Sequence, residues 1–277
     1  MINFPAHRLE DPCLRAGNQF NYSYFPIIWL LFRWTELTNG MTEIEAQGET
    51  TMKIPTLEEM LEAGVHFGHQ VSRWHPNMKP YIFTVRNNVH IIDLQQTQDR
   101  LKEACDYVKG VVSKNGTVVF VGTKRQAQDI IEKAAKRCGM PYVTERWLGG
   151  TFTNFSSIKK QINKLKDLEK KREAGELKKY TKKEQVDFDK EIERLERFFG
   201  GLKSIKNLPN SIFVVDLRED KNSVAEARKK GVNIIGLCDT NANPRLVNYP
   251  IPSNDDAVKA IGIIVNAVAD AIIEGKK

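Results

Sequence analysis

The sequence predicts an α/β protein, with a mostly parallel sheet covered by helices on both faces and an antiparallel helical hairpin inserted between its two halves. Three observations carry this. TVVFVG (117–122), SIFVVDL (211–217) and VNIIGLCD (232–239) are continuous apolar runs of strand length, as expected where both faces are buried. Helical-period segments follow the first two, KRQAQDIIEKAAKRCG and NSVAEARKKG. Between the halves, Phe155, Ile158, Ile162, Leu165 and Leu168 step by three and four, and so do Phe188, Ile192, Leu195, Phe199 and Leu202.

Taken in order, residues 1–51 differ from the rest. They carry three Lys/Arg and six Asp/Glu, a net of −3, in a 277-residue chain whose net charge is +7. Their apolar run YSYFPIIWLLF (22–32) would rise about 16 Å as a helix, roughly half a bilayer's hydrocarbon core. Arg8 and Arg15 precede it, but no A-x-A-type cleavage site follows and Arg33 and Glu36 arrive at once, against a signal peptide. Met41 and Met52 could each begin a protein, so 1–51 is read as a non-domain extension, an upstream stretch joined by a mis-set start, with an authentic anchor as the alternative.

The globular domain is expected over 52–154 and 203–277, with the hairpin over 155–202. Thr56 caps TLEEMLEAG as T-x-x-E with Glu59. YIFTV and VHIID flank Arg86-Asn87-Asn88, a hairpin, and QTQDRLKEACDYVKGVV places Leu101, Ala104, Cys105 and Val108 on one helix face. Gly139 closes the helix after TVVFVG, and PYVTE is a short strand. In the insertion, Gly175 stops the first arm and Thr181/Glu184 start the second, giving arms of about 25–30 Å. DDAVKAIGIIVNAVADAII is a terminal helix.

Hydrophobic content of 41% and charged content of 28% exclude wholesale disorder. Cys13, Cys105, Cys138 and Cys238 are far apart with no CxxC pair, which argues against a zinc ribbon or a disulfide framework and fits a reducing compartment. Residues 156–206 hold sixteen basic and ten acidic side chains, a surplus that favours a polyanionic partner over a merely solvated face.

Four places carry candidate chemistry. VFVGTKRQAQ resembles the strand–glycine–helix entry of nucleotide-binding folds, with Lys124 and Arg125 beside a helix N-terminus, but both G-x-G-x-x-G and the Walker pattern are missing. The same residues can grip a backbone phosphate. ERWLGGTFTNF (145–155) pairs Arg146 with Trp147, adds Gly149-Gly150 for close approach or a sharp turn, and supplies Asn154, a set suited to RNA. The plainer alternative is a loop whose Trp147 plugs the top of the sheet. Asp216 and Asp239 end two strands where open α/β sheets place catalysis, yet no spaced nucleophile accompanies them. In GVHFGHQVSRWHPNMKPY (64–81), His66, His69 and His75 offer three ring nitrogens without the helical spacing of a zinc site, so packed histidines beside an Arg73, Trp74, Lys79 grip are favoured over metal.

LEAGVHFGHQVSRWHPNMKPYIFTVRNNVHIIDLQQT, VVFVGTKRQAQ, ERWLGGTFTNF, LPNSIFVVDLRED, GLCDTNANP and YPIPSNDDA occur in that order. Together they resemble the bacterial or organellar form of the ribosomal protein S2 family, over about residues 56–275. The resemblance implies a flavodoxin-like three-layer α/β/α sandwich with a coiled-coil hairpin. It also implies a structural, non-enzymatic role in the small ribosomal subunit, with no cofactor, no membrane and no small-molecule substrate. Its partners would be small-subunit rRNA and neighbouring ribosomal proteins, S1 among them, on a cytoplasmic ribosome. Residues 1–51 match nothing in the family, and the longer C-terminal tail of some members does not follow.

The expected phosphate contacts are Arg73, Lys79, Arg86, Lys124, Arg125 and Arg146, with Lys159 and Lys160 at the hairpin base. Trp74 and Trp147 would stack or wedge, and Asn154 would hydrogen-bond backbone or sugar. An enzyme would instead bind a mononucleotide through the Gly122 loop with Asp216 and Asp239; a protein-only adaptor would form complexes that survive ribonuclease.

Overall fold

The computed structural model describes residues 54–277, so the readings of Cys13, the 22–32 run, Met41 and Met52 lie outside the described residues. Helix α1 (Leu57–Glu62) opens on the expected capping box: the Thr56 hydroxyl accepts from the Glu59 N–H at 3.2 Å and Glu59 Oε2 accepts from the Thr56 N–H at 2.9 Å. Strand β1 (Phe67–Gln70) follows. Next, β2 (Ile82–Arg86) and β3 (Val89–Ile92) form a hairpin whose two turn residues, Asn87 and Asn88, both have positive φ. That is the pattern of a type I′ turn, which the right-handed strand twist favours. These three strands make a small antiparallel sheet ordered β1-β3-β2.

Helix α2 (Leu94–Val112) buries Leu101, Ala104, Cys105 and Val108 together. Strand β4 (Val118–Val121) leads into α3 (Arg125–Cys138), which Gly139 ends in the left-handed region at φ +62°. After β5 (Tyr142–Val143) come the two long helices, α4 (Phe155–Glu173) and α5 (Lys182–Phe199). Their buried residues include Ile158, Ile162, Leu165 and Leu168 on one and Ile192, Leu195 and Phe199 on the other, so the two apolar stripes meet. At 1.5 Å per residue the helices span about 28 and 27 Å. Then come β6 (Ser211–Val214), α6 (Lys221–Lys230), β7 (Asn233–Cys238), β8 (Tyr249–Pro252) and α7 (Val258–Gly275).

Strands β4 to β8 form one parallel sheet ordered β5-β4-β6-β7-β8. Counted from β4 this is 2-1-3-4-5, the flavodoxin-like order. The sheet separates two cores. Val118, Phe120, Phe213 and Ile235 face α1, α2, α3 and α7. Val119, Val121, Val214 and Ile234 face α6, the hairpin helices and the loop holding Trp147. Cys105 and Cys138 belong to the first core and Cys238 to the second, all as buried free thiols. Among the described residues no helix is long and apolar enough to cross a membrane.

Candidate nucleic-acid interface

In an open parallel sheet the connections that leave the C-terminal ends of the strands form the binding edge, above all where the strand order reverses. Here that edge gathers the turns after β4 (122–124), β5 (144–154), β6 (215–220), β7 (239–248) and β8 (253–257). The 64–81 segment is fastened onto it by Thr240. The Thr240 hydroxyl accepts from the His69 N–H at 2.8 Å, and its carbonyl accepts from the His75 N–H at 2.7 Å. Asn77 Nδ2 adds a 3.0 Å bond to Asn243 Oδ1. Gly68 allows the approach: a Cβ there would sit 2.6 Å from Thr240 Cγ2.

This fastening decides what the histidines do. His66 lies against the Phe67 ring at 4.0 Å, and burial lowers its pKa. His75 turns inward on itself, its Nδ1 accepting from the Asn77 N–H at 3.1 Å. His69 Nδ1 lies 3.0 Å from Asp239 Oδ2, and its Nε2 lies 3.5 Å from Asp256 Oδ2. The bond to Asp239 raises the His69 pKa; burial opposes it, and the charges of Asp239, Asp255 and Asp256 reinforce it.

His69, Asp239 and Asp255 bring one donor atom each within 4.8 Å of one another. One imidazole and two carboxylates suit a divalent cation such as zinc. Positive charge is already supplied there by Lys124. Its Nζ lies 2.6 Å from Asp256, 2.8 Å from Asp255 and 3.6 Å from Asp216, with the side chain 12% exposed. Burial alone would push the ammonium pKa down, but the bonds to Asp255 and Asp256 outweigh it and hold the group protonated. Asp255, desolvated and facing Asp239 and Asp216, is pushed up to about 7.

Lys124, one of the expected phosphate contacts, thus already has three carboxylates of its own chain as partners, which would compete with a phosphate. A Cβ on Gly122 would lie 2.9 Å from Ile131 Cγ1, so this glycine serves the packing of α3 on β4.

The 145–155 loop is organised by a residue the sequence reading passed over. Glu226, on α6, receives five bonds from it. Oε1 accepts from the Gly150 N–H at 2.7 Å and from the Trp147 indole at 3.3 Å. Oε2 accepts from the N–H groups of Phe152 (2.9 Å) and Thr153 (3.2 Å) and from the Thr153 hydroxyl (3.2 Å). Burial would raise the Glu226 pKa, but the loop amides and the indole more than offset this and keep it below the usual range. Gly150, at φ +96°, makes the turn.

Trp147 takes the plainer alternative, a plug on the sheet, and not an exposed stacking surface. It is 5% exposed and meets Phe152 edge-on at 4.9 Å, so it plugs the loop against the sheet and has no free face for a base.

The other expected contacts remain on the surface. Arg73, Lys79, Arg86, Arg125, Arg146 and Lys160 are exposed, and among the described residues none has a carboxylate partner. Trp74, 37% exposed, leans on the His90 ring at 5.4 Å. The Arg86 turn sits beside the Arg73 segment, because the Val71 N–H donates to the Asn88 carbonyl at 3.1 Å. Asn154 is exposed before α4, its Oδ1 accepting from Ser156 Oγ at 3.4 Å. Lys159 Nζ donates to the Lys206 carbonyl at 3.1 Å, tying α4 to the segment that follows α5. Arg218 and Arg245, also exposed at this edge and without ion pairs among the described residues, were missed because each stands alone in its turn.

A family model described as ribosomal protein S2 matches residues 60–275. The chain belongs to the ribosomal protein S2 family. That makes it a ribosomal protein of the small subunit, a structural component of a ribonucleoprotein in translation, from a family without enzymatic activity. The S2 match takes in every turn of the C-terminal edge, the 64–81 segment and both hairpin helices.

Proposed function

We propose that this S2-family chain binds small-subunit rRNA through the C-terminal edge of its sheet and the first turns of α4, as part of a cytoplasmic ribosome. The observation that carries this is the set of exposed cations along that edge, Arg73, Lys79, Arg86, Arg125 and Arg146, without carboxylate partners among the described residues. A guanidinium with no carboxylate of its own is available to phosphate oxygens, and release of condensed counterions makes such binding salt dependent. Trp74 offers the stacking face and Asn154 a hydrogen bonder for sugar or backbone. The hairpin acts as a short coiled-coil arm, with Lys159 and Lys160 meeting RNA at its base.

The test is co-sedimentation of the endogenous protein with small subunits at moderate salt and its release at high salt. Protein that leaves the subunit fractions on ribonuclease treatment supports the RNA reading; complexes that survive it would sink it. Neighbouring ribosomal proteins are the second class of partner, S1 among them. An apolar surface on α1 and β2 fits such a contact, with Phe83 76%, Leu61 55% and Leu57 43% exposed. Replacing Phe83 by Ser is expected to weaken protein neighbours while leaving RNA association intact.

A further inference from the structure

We infer that Glu226 is a positioning residue for RNA binding, an acidic side chain whose role is to hold the 147–153 loop so that Arg146 and Asn154 are presented outward. This rests on the RNA reading above. A carboxylate within an RNA-facing edge would ordinarily repel phosphate. Here both of its oxygens, partly buried, are engaged by five donors from one loop, so its charge is spent on conformation.

The geometry is specific. Glu226 sits on the helix that follows β6, whereas the loop follows β5, and β4 lies between those strands. Glu226 thus fixes the loop to a second element of the sheet's far face. The loop's inward polar groups, the N–H groups of Gly150, Phe152 and Thr153 and the Trp147 indole, are all used by it. What remains outward is Arg146, Asn154 and an unobstructed Gly149, whose Cβ position meets nothing within 4 Å.

Both oxygens act only as acceptors, so the isosteric amide cannot replace them. In Glu226→Gln, whichever way the amide is turned, its NH2 faces donors. A shape-only role would tolerate that change, and a positioning role would not.

The experiment uses the full chain. Binding of Glu226→Gln, Arg146→Ala and the double variant to protein-depleted small subunits is measured at a temperature where all are folded by circular dichroism. Hydrogen exchange of the Gly150, Phe152 and Thr153 amides is followed in wild type. The expected result is a roughly tenfold loss for each single variant, a double variant no worse than the weaker single, and a loss additive with Arg73→Ala on the other segment. The three wild-type amides should be protected.

Wild-type-like binding by Glu226→Gln, beside a weakened Arg146→Ala, would overturn the proposal. So would unprotected amides in the wild type, a result that needs no variant to fold. If wild type itself shows no salt-dependent association, the RNA reading fails and takes this proposal with it; the variants are then indistinguishable from wild type.

Discussion

Two turns at the same edge of the sheet, 122–124 after β4 and 144–154 after β5, solve opposite electrostatic problems. The first places a cation, Lys124, among carboxylates at Asp216, Asp255 and Asp256. The second places a carboxylate, Glu226, among N–H donors. In both, a charged group is engaged within the chain, and an exposed arginine stands beside the turn, Arg125 at the first and Arg146 at the second. Charge in a motif therefore says little until its intramolecular partner is known.

The largest effect expected falls on the second turn. Trp147→Ala should cost about 3–5 kcal/mol of stability, the usual range for an emptied aromatic site. Denaturant unfolding measures it, and a cost near zero would return Trp147 to the surface role. Next, Lys124→Ala should cost about 2–4 kcal/mol at pH 8, because three carboxylates lose their cation. If it were as stable as wild type but bound RNA less tightly, the contrast between the two turns would collapse.

A smaller effect sharpens the first turn. Burial, helped by Asp216 and Glu219 and opposed by the Thr123 N–H, pushes Asp220 up to about 7. A carboxyl whose pKa is raised by folding adds stability that is fully present below about pH 4 and lost as pH rises through 7. Asp220→Asn should therefore gain about 1–2 kcal/mol over wild type at pH 8 and nothing at pH 4, read from melting temperatures at both. The smallest effect is on binding. Arg125→Ala, beside the first turn, should weaken subunit association by about 1 kcal/mol and flatten its salt dependence by roughly one phosphate contact, with unchanged stability.

Local rules made much of the fold readable. Both capping boxes, at Thr56/Glu59 and Thr181/Glu184, form as spaced, because their bonds close within four residues. The Asn87-Asn88 turn and the buried face of α2 follow from equally local patterns. Strand β8 was missed as a strand because Pro250 and Pro252 lie in it; it is the sheet's edge, where proline is tolerated. Strand β1 was missed because FGHQ has neither β-rich composition nor clean alternation; pairing with β3 makes it.

At the site, the residue types of the exposed arginines were visible and the partners of the charged groups were not. Lys124 finds Asp255 across 131 positions, and Glu226 finds Gly150 across 76. Separations of that size carry no spacing signal in a single sequence.

The division of the molecule by its sheet has a practical consequence. Cys105 and Cys138 lie on one side and Cys238 on the other, and burial holds the Cys105 thiol up at about 12 and raises the other two. A thiol that is not ionised does not react. Alkylation of each of these three cysteines, followed by mass spectrometry of its peptide, therefore times the opening of the layer that shields it. Addition of rRNA should slow modification of Cys238, which adjoins the Asp239 turn, more than modification of Cys105, giving a footprint of the bound face written in the interior.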